Sequence, residues 1–282
     1  MSGFAPPGPQ PCDARSPAAR NRDLLLAHFR VNLARHAAYP VSLILEQLSY
    51  LVGLVVSLVL WRHLFTRLPT FAGWSFDDVL VLHLFGNLFL ALFHSLFMGF
   101  HSFHAIVRNG RLDTWLARPV DPRIAHLAAS LKPEELLNRL LALVPLILYM
   151  RSRGIELDAG RLAAGLAAML VGLAAFACIQ LVWCYAAFWL DKSDAILAFL
   201  DLFYGFYRFP LDALPGVAQL ALTLAAPLLL AVTYPARFAA GGASWTSLLA
   251  VCAASLAVLA GWAWAQERLW RAGLDAYQSP GG

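Results

Sequence analysis

Polar side chains recur along one apolar stretch of this chain: His83, Asn87, His94 and His101 follow one another at spacings of 4, 7 and 7 residues. On a helix that pattern puts all four on one narrow face. Imidazole and carboxamide groups at membrane depth face protein or water rather than lipid. Three roles fit them: hydrogen bonds between neighbouring helices, lining of a substrate path by His83, Asn87 and His94, or a metal site. No carboxylate shares that face to complete a metal set. A second polar face joins Gln219, Thr223, Pro227 and Tyr234 in a later apolar run. Pro227 frees a backbone carbonyl there and bends the helix, which either gating or packing can use. Glu46, Asp201 and Arg208 are isolated charges spread over different segments. With neither a Gly-x-Ser-x-Gly nor a His-Glu-x-x-His run, no acid and base are paired for catalysis.

Energy must come from elsewhere too. The only lysines are Lys132, in SLKPE, and Lys192, in DKSD, and neither ends a glycine-rich phosphate loop. The chain is therefore expected to bind no nucleotide itself and to be no enzyme. Its four cysteines form no Cys-x-x-Cys pair; Cys178, Cys184 and Cys252 lie in apolar runs and read as small core residues.

The elements that carry these residues are long and apolar. Hydrophobic residues make up 60% of the chain and charged ones 13%, with a mean hydropathy of +0.64. A soluble protein is about 45–50% apolar and about 25% charged. Runs near 41–61, 77–99, 134–150, 162–190, 216–238 and 247–266 are each long enough to cross a bilayer. The expected fold is an all-α integral membrane protein with six transmembrane helices. The small net charge of +4 suits anionic lipid headgroups and gives no nucleic-acid footprint.

Residues 1–22 are Pro-rich and read as a flexible cytoplasmic tail. Residues 23–39 form an amphipathic helix suited to the membrane interface, with Leu25, Leu26, Phe29 and Leu33 on one side. With the N-terminus inside, most Arg and Lys residues, from Arg15 through Arg108 and Arg118 to Arg271, fall on the cytoplasmic side. Both termini and a loop over 100–133 are therefore expected in the cytoplasm. Residues 192–215, aromatic and ended by a proline, read as a loop, an interfacial helix or a re-entrant one. Small residues repeat every four positions at Ala164, Ala168 and Gly172 and again at Ala253, Ala257 and Gly261, as close helix packing requires.

Within the 100–133 loop, Asn109-Gly110 stops one helix and Pro119 stops the next, so only a short helix fits over 111–118. Leu112, Trp115 and Leu116 share its apolar face; Arg111, Thr114 and Arg118 lie off it. Such a ridge either enters a groove on a partner or lies among lipid headgroups.

Val107 to Pro122 resembles the cytoplasmic motif of ABC-2 type permeases, matched at Gly110, Leu112, Asp113, Leu116, Arg118 and Pro119 with Arg108 as the preceding basic residue. The run 208–242 resembles the same family's Arg-x-Pro-Leu segment and Tyr-Pro-Ala exit, and LWRHLF with GWSFDDVL over 60–80 is a third, weaker match. The resemblance implies a permease domain over 40–282 in a bacterial cytoplasmic membrane. It implies a separate ATP-binding-cassette ATPase, carrying ATP and Mg, docked on Arg108–Pro119; Trp115 is the expected anchor there because a buried tryptophan contributes most at such a contact. It further implies a second permease subunit, identical or related, surrounding lipid, and export of a drug-like or lipid-like compound. The competing reading is a membrane scaffold or assembly protein.

Overall fold

The computed structural model describes residues 17–37, 40–118, 120–190 and 202–278, all of them in helices, turns and short connections. Most of the proline-rich tail, Pro119 and most of the stretch before Leu202 lie outside the described residues. In chain order the helices are α1 (Pro17–Ala37), α2 (Pro40–Phe65), α3 (Phe76–Leu96), α4 (Phe103–Arg108), α5 (Arg111–Leu116), α6 (Pro122–Ser130), α7 (Pro133–Ser152), α8 (Ala159–Tyr185), α9 (Gly216–Ala225), α10 (Tyr234–Ala239) and α11 (Trp245–Ala276).

Local chemistry sets several of their starts. Ser75 and Asp78 form a reciprocal capping box at α3, which satisfies two N–H groups that have no partner inside the helix. Asp158 and Ser244 cap α8 and α11 in the same way from one side. Pro133 and Pro122 sit in the first turns of α7 and α6, where a missing N–H costs nothing.

α3 is the central element. In its most apolar window 78% of residues are buried, against 11% for α2 and 17% for α11. Phe85, Phe89, Phe93, Leu80 and Leu82 of α3 pack with Leu146 of α7 and Met169 and Phe176 of α8 in one continuous core. The Phe89–Phe176 and Phe93–Phe176 rings meet edge to face at 5.3 and 5.0 Å. α2 and α11 stand outside with long apolar faces exposed, including Val52, Val55, Val56 and Val59 on α2.

The bundle has two ends. One holds the 98–131 segments and the last turns of α8 and α11; the other holds the turns at 66–75 and 240–244. Among the described residues four helices are long and apolar enough to cross a membrane: 41–65, 76–96, 159–188 and 245–276. α7 fills the place of the third expected span but carries Glu134, Glu135, Arg139 and Arg151.

The fifth expected span, 216–238, is not a straight crossing. α9 and the 229–239 half meet at 95° across a break at Ala226–Leu228. Asp212, just before the pair, binds Arg237 near its end, and the Trp74 indole N–H donates to the same carboxylate at 2.9 Å. Both ends of the segment therefore lie at the Trp74 end of the bundle, and the chain dips and returns. Pro227 is the reason: lacking an N–H it cannot continue α9, and a π-helical turn over Leu229–Thr233 follows it. The described chain before this hairpin runs the length of α3: Phe188 packs on Phe103 and Trp270 at the loop end, Tyr204 on Phe93, Tyr207 against Gly86, and Asp212 on Trp74.

The two small-residue stripes part company. A Cβ on Gly172 would lie 2.5 Å from the Ala231 Cα, so only glycine permits that approach, and Ala168 is buried beside it. Ala253, Ala257 and Gly261 face outward instead, and nothing lies within 4 Å of a Cβ placed on Gly261.

Candidate functional site: a polar cavity and a folded loop

The α3 stripe divides between partners on three other elements. His83 accepts or donates at 2.8 Å to the Ser57 hydroxyl of α2, while its other ring nitrogen lies 2.8 Å from the Val79 carbonyl. A carbonyl can only accept, so Nδ1 carries the proton and Nε2 accepts from Ser57. His94 lies 3.0 Å from a terminal nitrogen of Arg139 on α7, and His101 lies 3.1 Å from the Tyr204 hydroxyl. The bonds of His83 and His94 join neighbouring helices, the first of the three roles open to the stripe. Among the described residues no three His, Cys, Asp or Glu side chains gather into a metal site.

Asn87 differs from its neighbours. Its amide donates at 2.8 Å to the His83 carbonyl and otherwise borders a cavity of about 350 Å³ between α2, α3, α7 and the Gly205–Arg208 turn. Ser49, Tyr50, Gly53, Arg139, Tyr207 and Arg208 share that lining. Arg139 stacks over the Tyr50 ring at 4.3 Å, and its Nε lies 3.6 Å from Glu135, which accepts a 2.7 Å bond from the Tyr50 hydroxyl. Glu46, the isolated charge of α2, accepts from Asn138 at 3.0 Å and has a structural partner.

Arg139 and the tyrosines escaped the sequence reading, although an arginine and two glutamates within the apolar 134–150 run were a signal of inward-facing polarity. Gln219, Thr223 and Pro227 do not reach the cavity. Gln219 donates to the Asp212 and Leu214 carbonyls at 3.1 and 2.8 Å, and Thr223 to the Gln219 carbonyl at 2.7 Å, so they close the hairpin's own backbone.

The second constellation is the loop. Gly110 stands between α4 and α5 at φ 66°, a left-handed conformation that favours glycine. The turn aims α5 back into the protein, and the expected outward ridge is inverted: Leu112 is 0% and Trp115 6% exposed. Trp115 packs 5.2 Å from the His126 ring of α6, which also meets Phe100 and Phe103. Phe103, Tyr185, Phe188 and Trp270 continue the cluster to α8 and α11. Arg123, held by the α6 cap Asp121 at 2.9 Å, ties α6 to α11 through Glu267 at 2.7 Å.

Trp115 thus anchors the loop to its own chain, because an indole this large gains more from a closed aromatic core than from a single-turn ridge. Arg108, Arg111, Leu116 and Arg118 face outward, with Leu116 43% exposed. Asp113 is half-buried, and burial together with its carboxylate pushes the Tyr277 phenol above its usual range. Burial lowers the His126 imidazole to about 4, so the ring is neutral within this cluster.

Long apolar helices around a buried polar stripe, with a compact loop folded onto one end, are the build of a multi-pass membrane protein. A family model described as ABC-2 family transporter protein matches residues 51–281. The chain belongs to that family and is a membrane permease of an ABC transporter. No curated protein and no solved structure matches it.

Proposed function

We propose that the chain is the membrane half of an ABC exporter in a bacterial cytoplasmic membrane, driven by a separate ATPase that docks on the 108–118 loop and holds the ATP and Mg. The observation that carries this reading is the construction of the loop. Its backbone is locked by Leu112 and Trp115 into a core shared with the ends of α8 and α11, while Arg108, Arg111, Leu116 and Arg118 are presented outward on a rigid base. A push on that face passes directly to two long apolar helices, which is what coupling requires.

In this reading α2, α3, α7, α8 and α11 cross the membrane, Phe188 stands at the loop end and Asp212 at the Trp74 end, and the 216–239 segment is a re-entrant hairpin. Both termini then lie in the cytoplasm, as the arginine distribution favours. α1 lies at the interface, exposing Leu26, Phe29, Val31 and Leu33. A second permease chain and lipid cover the exposed apolar faces of α2 and α11. The path for a drug-like or lipid-like substrate runs beside His83, Asn87 and His94.

Co-purification with the cognate ATPase tests the docking. Leu116→Asp combined with Arg118→Glu is expected to abolish capture while the chain remains inserted and monodisperse. Normal capture by that variant would place the ATPase contact elsewhere.

A further inference from the structure

Arg208 is the unexplained charge of this fold. Its guanidinium lies against Gly53, where a Cβ would be 3.6 Å from a terminal nitrogen. Gly53 is at the centre of the 26-residue α2, about 18–20 Å from either end at about 1.5 Å per residue. That is mid-membrane depth, where an arginine is costly and persists when it has a partner or a task. Arg208 donates from Nε to the Tyr207 hydroxyl at 3.0 Å and stacks over that ring at 5.2 Å. Among the described residues no carboxylate pairs with it, and both terminal nitrogens are without a hydrogen-bond acceptor. Every other membrane-depth cation of the cavity is compensated: Arg139 has Glu135.

We infer that the cavity between α2, α3, α7 and the Gly205–Arg208 turn binds the anionic head of an amphiphile, a phosphate or carboxylate held by the terminal nitrogens of Arg208. This rests on the permease reading and names the substrate class of the same path. The planar fork of a guanidinium matches two oxygens of such a group, and the bonds are charge-assisted. The Tyr207 hydroxyl accepts from Arg208 and keeps its own proton to donate, and Asn87 has a second amide hydrogen beyond the one given to His83. A cavity of about 350 Å³ holds a headgroup and not a whole lipid. The tail therefore runs outside it, along the exposed Val52, Val55, Val56 and Val59 of α2. Gly53 is the opening: a larger side chain there would occupy the space of the guanidinium's ligand.

The test uses the full chain in dodecyl maltoside, with native mass spectrometry reading bound phosphatidylglycerol, phosphatidylcholine or inorganic phosphate. Phosphatidylglycerol is expected to bind about tenfold or more tightly than phosphatidylcholine. Arg208→Gln and Gly53→Leu should each remove about tenfold or more of that affinity, Arg208→Lys should retain part of it, and the exposed Arg268→Gln should leave it unchanged. Excess inorganic phosphate should not displace the lipid; displacement would overturn the amphiphile and leave a free-anion site. Equal binding of the two lipids, or wild-type binding by both Arg208→Gln and Gly53→Leu, overturns the site itself. Size-exclusion profile and melting temperature are read alongside, and Gly53→Leu, which keeps the arginine, decides the matter if Arg208→Gln fails to fold. ATPase capture is scored separately, so failure of the permease reading and failure of the anion site are distinguishable.

Discussion

The loop core around Trp115 and the cavity around Arg208 are built on opposite principles. In the loop, aromatic rings from α5, α6, α8 and α11 close on one another within 5–6 Å and leave charge only at the outer face. In the cavity, tyrosines and arginines surround space, and a guanidinium at mid-helix depth keeps donors unused. A closed aromatic cluster has one low-energy arrangement, so it transmits displacement; an open polar cavity has capacity left for a ligand. Within one chain, a closely packed aromatic cluster holds the loop end and an open polar cavity lies between α2, α3 and α7.

Breaking the loop should cost most. Trp115→Ala removes a buried indole and is expected to destabilise the loop by about 3–5 kcal/mol, seen as protease cleavage within 100–131 and loss of ATPase capture. Intact protease resistance would show that the cluster does not hold the loop.

Acidification should loosen the same cluster by a smaller amount. His126 binds a proton near pH 4 when folded and near its ordinary 6.5 when unfolded, so the unfolded form holds more protons between those values. The His126 contribution is complete above about pH 6.5 and falls away toward pH 4, on the order of 3 kcal/mol in all. His126→Phe should flatten the pH dependence of loop proteolysis over that window. An unchanged profile in that variant would assign the dependence to other groups.

In the cavity a single substitution should affect transport and not assembly. Asn87→Leu removes one amide that is bonded only to the His83 carbonyl, so transport should fall several-fold with insertion and ATPase capture unchanged. Loss of assembly would make Asn87 a packing residue.

The smallest expected effect separates the two small-residue stripes. Ala257→Leu, on an outward face, should shift stability by about 0.5 kcal/mol or less. Ala168→Leu, buried against Phe238 and Leu248, should cost about 1–3 kcal/mol by overpacking. Equal melting temperatures for the two would remove the distinction.

Much of the architecture was legible because it is written in local terms. Apolar runs gave α2, α3, α8 and α11, and Asn109-Gly110 marked the turn before α5. Legibility ended where meaning depends on a distant neighbour. The run 216–238 is apolar enough to read as one span, and the meeting of Asp212 with Arg237 reveals that it doubles back. The ridge Leu112–Trp115 was visible, but its direction is set by the left-handed Gly110 and by rings on α8 and α11. Small residues at a four-residue spacing identified a surface able to pack without saying whether anything packs there. Arg139 and Arg208 border one cavity from segments far apart in sequence, and no periodicity connects them.

Directed cross-linking tests the coupling account most directly. In a chain freed of its native cysteines, single cysteines at Leu116→Cys and Leu112→Cys are treated with a short bifunctional thiol reagent in the presence of an ATPase carrying surface cysteines around its docking cleft. The account predicts a cross-linked permease–ATPase product from the exposed position 116 and none from the buried position 112. Cross-linking from 112 with none from 116 would mean that the aromatic core opens to receive the ATPase, and would contradict the claim that the loop is a rigid base.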